Sequence, residues 1–198
     1  MPVELSCVLS LSDHLCCSLR RDRCPCCHDA VSIAADQLAD VNNARYITWI
    51  EIARIHWLRQ LASVQLPPEV GSAAALSAAV TSFMCGHGSA GPILKSNFME
   101  YKMPVQYPDL VVVGSRLGLV AEDRFALFHR LVSLKTGRLV GEAEGLIVCF
   151  DYDKQTKTKL PKLIRAAIDQ RLKEQKISDQ TNGTPVKPPR KSVNFESF

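Results

Sequence analysis

The sequence predicts an α+β fold in which one long, buried helix is wrapped by a curved antiparallel sheet. Three observations carry that reading. Tyr46, Ile50, Ala53, Trp57 and Leu61 recur at spacings of three and four, which puts them on one stripe of a helix. Phe125, Leu127, His129, Leu131 and Ser133 alternate with their neighbours, as do Leu146, Val148 and Phe150, which is the period of a strand. Lys135-Thr136-Gly137-Arg138 joins those two stretches as a hairpin turn. A helix followed by at least four antiparallel strands buries its apolar face by having the sheet curl around it.

The helix is expected from Asn43 to about Leu61, with Asn42 or Asn43 capping its first free N–H groups. Ile47, Ile52, Ile55 and Leu58 lie off the main stripe, so it is apolar nearly all round, the pattern of a buried helix. Residues 64–92 are rich in small residues and read as a loop. An extended stretch begins near Ile93 and takes in Phe98, Tyr101 and Met103. Leu110 to Val113 is largely β-branched and bounded by Pro108-Asp109 and Gly114. Arg124 to Leu134 and Leu139 to Asp151 complete the strands. Pro161 is placed for the first turn of a further helix with Leu163, Ile164, Ala167 and Ile168 on its apolar face. The expected organisation is a Cys-rich, poorly ordered segment over residues 1–30, a domain over residues 31–174, and a disordered polar tail over residues 175–198 with Pro185, Pro188 and Pro189.

Composition narrows the function classes. The chain has 198 residues, 46% of them hydrophobic and 22% charged, as in ordinary globular proteins. Its net charge of +4 sits largely at the ends, at Arg20, Arg21 and Arg23 and at Lys187, Arg190 and Lys191. No basic stripe is interleaved with aromatics, so nucleic acid is not an expected partner. No apolar run is long enough to span a membrane. Glu4, Asp13 and Asp22 fit neither a secretory signal nor a clean mitochondrial presequence. The expected compartment is the cytoplasm, with the mitochondrion as the alternative.

Six of the eight cysteines fall within the first 27 residues. Cys24 and Cys27 have the spacing of a zinc pair, and His28 or Cys16 would extend the set. No second pair at usable spacing follows, so no metal is expected. In a reducing compartment these thiols are not expected to form disulfides. Val31, Ile33 and Ala35 are the nearest approach to a first strand ahead of the helix.

Four motifs in order then resemble one family. Asp36-Gln37-Leu38-Ala39-Asp40-Val41-Asn42-Asn43-Ala44-Arg45-Tyr46 resembles the D-x-x-G-H-V-N-N-x-x-Y signature of the hot-dog acyl-CoA thioesterases, the 4-hydroxybenzoyl-CoA thioesterase-like group. Trp49-Ile50-Glu51-Ile52-Ala53-Arg54 is similar to the helix element that follows. Tyr101-Lys102-Met103-Pro104-Val105-Gln106-Tyr107-Pro108-Asp109 looks like the next strand and turn. Glu142-Ala143-Glu144-Gly145 with Val148 and Asp151 resembles the last strand. The resemblance runs over residues 31–174 and is nearest in character to fungal members.

The resemblance implies a hot-dog fold, assembly as a homodimer or tetramer through sheet edges, and hydrolysis of an acyl-CoA or acyl-carrier thioester. It implies no cofactor, since coenzyme A belongs to the substrate. Thioester hydrolysis needs an activated water or a carboxylate nucleophile, and a place for developing negative charge. Asp36 matches the family carboxylate, and Asn42 and Asn43 lead the helix whose N-terminus would hold the oxyanion. Val41, Tyr46, His87 and Gly88 are the substrate-binding candidates, the last two in the glycine-rich stretch before Ile93. Glu51 is a possible secondary carboxylate, read first as structural, in a pair with an arginine. Lys95, Lys102 and the stretch from Arg124 to Arg130 are candidates for meeting coenzyme A phosphates.

Two positions depart from the signature. Ala39 stands where the family has Gly, and Asp40 where it has His. Ala restricts tight backbone approach. A second carboxylate near Asp36 would raise its pKa and oppose anion binding. The alternatives are therefore a non-catalytic hot-dog dimer that binds thioesters or partners, and a product-release thioesterase acting on carrier-bound chains in a polyketide pathway.

Overall fold

Helix α1 (Asn43–Gln60) starts where Asn42 leaves the helical region and accepts the Ala44 N–H on its side-chain oxygen at 2.8 Å. This is a computed structural model, and it describes residues 6–10, 40–86 and 90–182. A short 3-10 turn (Leu61–Ser63) extends α1. Helix α2 (Ala73–Cys85) follows, and then strands β2 (Ala90–Tyr101), β3 (Leu110–Val120), β4 (Arg124–Ser133) and β5 (Leu139–Asp151). A short β6 (Thr156–Lys157) and helix α3 (Lys162–Asn182) complete the chain, and β1 (Ser6–Ser10) precedes it all.

The strand order is β1-β3-β4-β5-β2, every pair antiparallel, with β6 on β5. Register shifts at Leu94/Ser96, Leu117/Val120 and Leu131/Val132 add local twist, which helps the sheet curve. α1 lies in the concavity. Tyr46, Trp49, Ile50 and Ala53 pack on Val111 and Val113 of β3, Leu131 of β4, and Val140 and Ala143 of β5. Trp57, Leu58 and Leu61 meet α2, α3 and the other end of the sheet, at Leu117, Phe125, Leu127 and Ile147. The α+β reading with a sheet curled round one helix therefore holds.

Residues 64–92 depart from the loop reading, because 73–85 form α2. Ser72 caps it through its hydroxyl, Leu76, Val80 and Phe83 turn inward, and Gly86 closes it at φ 68°. The signal was present at spacings of four and three, but the intervening alanines and serines diluted it. The first described strand is Ser6–Ser10, within the segment set apart as Cys-rich. Val31, Ile33 and Ala35 lie outside the described residues, as do Cys16 to His28.

α3 runs to Asn182, past residue 174 where the folded part was expected to end. Its apolar face, with Ile164, Ala167 and Ile168, is fully buried. Further along, Gln175 accepts the Leu117 N–H at 3.0 Å and donates to the Leu117 carbonyl at 2.9 Å. Asp179 pairs with Arg116. These bonds hold the second half of α3 to the part of β3 beyond Leu110–Gly114, the residues with which β1 pairs.

Two of the ionisable groups buried in the sheet are His129 and Glu144. His129 on β4 faces α1, 1% exposed, with Nδ1 2.9 Å from the Ser115 hydroxyl and Nε2 without a partner among the described residues. Desolvation, and then the Arg54 charge, lower its pKa from 6.5 to about 3. Glu144 on β5 belongs to the opposite face, 2% exposed; one carboxylate oxygen has no partner among the described residues, and desolvation raises its pKa.

Two outcomes follow for stability. Ile50 is fully buried, so Ile50→Ala should cost about 2–5 kcal/mol in urea unfolding. For His129, the unfolded chain binds a proton below pH 6.5 that the folded chain refuses until about 3. Its contribution is thus intact above that window and lost as pH falls through it. His129→Asn should lower stability at neutral pH but flatten the acid-side decline of the urea midpoint.

Candidate active site

A cleft of about 490 Å3 opens at the N-terminus of α1. Its walls are Asp40, Val41, Asn42, Asn43 and Tyr46 from the helix start and Tyr101, Lys102, Met103 and Pro104 from the end of β2. Two backbone links fix these walls relative to each other. The Val41 N–H donates to the Val105 carbonyl at 2.9 Å, and Asp40 forms an isolated antiparallel bridge with Gln106. Gln106 Nε2 also donates to Asp40 Oδ1 at 3.0 Å, so the carboxylate that replaces the signature histidine is hydrogen bonded at the rim.

The floor is aromatic. The Tyr46 ring lies 5.1 Å from Trp49 and 5.2 Å, edge-on, from Tyr101. The Tyr46 hydroxyl donates to the Met103 carbonyl at 3.4 Å, and the Tyr101 hydroxyl to the Asn43 carbonyl at 3.3 Å. Burial above all, with the Asp40 charge adding to it, raises the Tyr46 pKa. Lys102 contacts Glu100 at 2.7 Å and Glu142 at 3.4 Å, and the hydrogen bond to Glu100 raises its pKa. Asp109, the last residue of the third motif, accepts the N–H groups of Leu110 and Lys135 and the Ser133 hydroxyl. It therefore ties the start of β3 to the β4–β5 turn.

Of the site residues named from sequence, Val41, Asn42, Asn43 and Tyr46 come together at the cleft. Asn42 spends its side-chain oxygen on the helix cap. Glu51 lies about two turns further along α1 on its exposed side, where its charge acts on Arg54. Asp36, His87 and Gly88 lie outside the described residues. Tyr101, Met103 and Pro104 were not singled out as site residues. Their signal was the Tyr-x-x-Pro turn at the end of an apolar strand.

What this arrangement supplies is a helix N-terminus, with its positive dipole end and N–H groups, beside a pocket with an apolar floor and polar rim. That suits an oxyanion or a polarised carbonyl rather than a cation.

The fold and the position of the cleft define the class: this is a hot-dog α+β domain. The chain belongs to the thioesterase-like superfamily, whose family model matches residues 34–168. Among solved structures it is similar to the PA2801 protein of Pseudomonas aeruginosa, a thioesterase candidate. The two are 26% identical over 67% of this chain and 88% of that one, with a TM-score of 0.52. The 1,4-dihydroxy-2-naphthoyl-CoA thioesterase Slr0204 of Synechocystis is 17% identical over 68% of this chain and 86% of its own, with a TM-score of 0.52. The SAV2348 protein of Staphylococcus aureus, solved in complex with CoA, is 10% identical over 94% of this chain and 89% of its own, with a TM-score of 0.61. The last two likenesses show the fold. No match is found among curated proteins.

Proposed function

We propose that the chain hydrolyses an acyl thioester, with coenzyme A as the leaving group, at the cleft beneath the N-terminus of α1. The observation that carries this is the cleft itself, lined by Val41, Asn42, Asn43 and Tyr46 of the signature in a chain of the thioesterase-like superfamily. Asp36, four residues before Asp40 at the rim, supplies the carboxylate. It takes a proton from water, whose oxygen adds to the thioester carbon, or it adds there itself. The N–H groups at the start of α1 receive the resulting oxyanion, and its collapse expels the thiolate; on the second route water then hydrolyses the anhydride left on Asp36, releasing the acid and restoring the carboxylate. The pocket needs no cofactor beyond the coenzyme of the substrate.

The second reading is a binding dimer without turnover. What favours it is Asp40, which puts a hydrogen-bonded carboxylate at the end of the helix where negative charge would develop. A panel of acyl-CoA and acyl-carrier thioesters separates the two. Turnover that falls about 10²- to 10⁴-fold in Asp36→Asn, at little cost in KM, fits the hydrolytic reading. Turnover indifferent to that change removes Asp36 from the chemistry. Saturable binding with no hydrolysis of either thioester class supports the binding reading.

The assembly proposed is a homodimer through the outer edge of β2. Among the described residues β2 ends the sheet; it is 12 residues long and exposes Leu94, Phe98 and Tyr101. A long apolar edge of that kind pairs with another strand unless something covers it. Light scattering should give a dimer mass for the full chain and a monomer mass for Phe98→Glu. A monomeric parent protein would end this proposal.

A further inference from the structure

Two charged side chains line the cleft, Asp40 and Lys102. Lys102 contacts Glu100 at 2.7 Å and Glu142 at 3.4 Å, so its charge is already met by carboxylates. Asp40 takes part in none of the ion pairs among the described residues. Its hydrogen-bond partner is the neutral amide of Gln106, 3.0 Å from Oδ1. That bond, the backbone bridge from Asp40 to Gln106 and the bond from the Val41 N–H to the Val105 carbonyl fix the carboxylate to the rim. Its charge reaches the floor. Burial comes first in raising the Tyr46 pKa, and of the charges that add to it Asp40 is the largest, ahead of Tyr101 and Asp109.

The hydroxyl protons on the floor are committed. Tyr46 gives its proton to the Met103 carbonyl and Tyr101 to the Asn43 carbonyl. A ligand therefore meets the N–H groups at the helix start and the amides of Asn42 and Asn43, beside a fixed negative charge. An uncharged carbonyl uses those donors freely. A carboxylate using them also meets Asp40, and like charges a few ångströms apart in a partly desolvated cleft repel. We infer that Asp40 is a specificity-determining residue of the cleft, which admits acyl groups with an uncharged end and turns away those that end in a carboxylate. The same repulsion acts on the free acid that hydrolysis leaves behind, which is ionised at neutral pH. That second half rests on the hydrolase reading. The departure of Asp40 from the signature histidine then has a use: it favours release of the carboxylate product and narrows the substrates to those without a second carboxylate.

Benzoate and benzamide differ in charge but hardly in shape, and binding either needs no turnover. Calorimetric titration of the full chain should give an affinity for benzamide about tenfold above that for benzoate. In Asp40→Asn, which keeps an acceptor for Gln106, the gap should close. In Gln106→Leu, which keeps the charge, it should persist. Added salt should narrow the gap in the parent protein, as screening does for charge and not for shape. A gap that survives Asp40→Asn, or a parent protein that binds the two ligands equally or binds neither, overturns the inference.

On thioesters, kcat/KM for succinyl-CoA should lie about tenfold below that for its methyl ester, and the ratio should approach one in Asp40→Asn. Inhibition by the free acid product should strengthen in that variant by a similar factor. A ratio that does not move overturns the inference. No turnover of either thioester, with the benzoate–benzamide gap present and dependent on Asp40, removes the hydrolase reading and leaves the charge discrimination standing.

Discussion

Burial of α1 in the concavity of the sheet is the constraint from which the remaining geometry follows. Ile50 and Tyr46 sit on one half of the helix, Trp57 and Leu61 on the other, and each half meets different strands. A helix gripped along its whole length has little freedom to rotate or slide, since either motion would open voids beneath several large side chains. Its first residue is therefore held in place, and with it the polar end of the helix. The rim of the cleft inherits its position from a hydrophobic contact about 10 Å or more along the helix axis.

The second wall is positioned independently and then joined to the first. β2 is held by β5 along nearly its whole length, and the segment after it crosses back beneath the entrance to α1. Val41–Val105 and Asp40–Gln106 lock that crossing. The substitution of Asp for the signature histidine is thus accommodated by a partner on the opposite wall rather than left facing solvent alone. Tyr101 closes the arrangement from the other side by reaching the carbonyl of Asn43.

How much of this was readable in the residues depends on whether the signal was local. α1 was legible because its large apolar side chains repeat with the helical period over 18 residues. α2 was not, because only Leu76, Val80 and Phe83 mark its buried face among alanines and serines. The strands were legible through alternation, but their ends were not: β3 runs on through Gly114 and Gly118, residues that usually weaken a strand. The cleft was half legible. The helix-side residues carry a motif, whereas Tyr101 and Met103 join them through a contact across 57 or more positions that no short-range pattern encodes. The same limit hid the burial of Glu144 and His129. A polar residue in a strand does not announce how its neighbours cover it. Nor could spacing say that Lys102 meets Glu100 and Glu142, or that Arg130 meets Glu142.

The contact between Gln175 and Leu117 bears on where the chain can be cut. A side-chain amide offers one donor and one acceptor, the pair a neighbouring strand would present, so Gln175 acts as a one-residue substitute for a strand. A recombinant chain trimmed at residue 174 would keep the apolar face of α3 yet bare the peptide group of Leu117 beside the exposed Leu119. An open edge of that kind recruits other chains. For this protein, solubility during purification would then depend on a short polar stretch of helix that contributes little to the core.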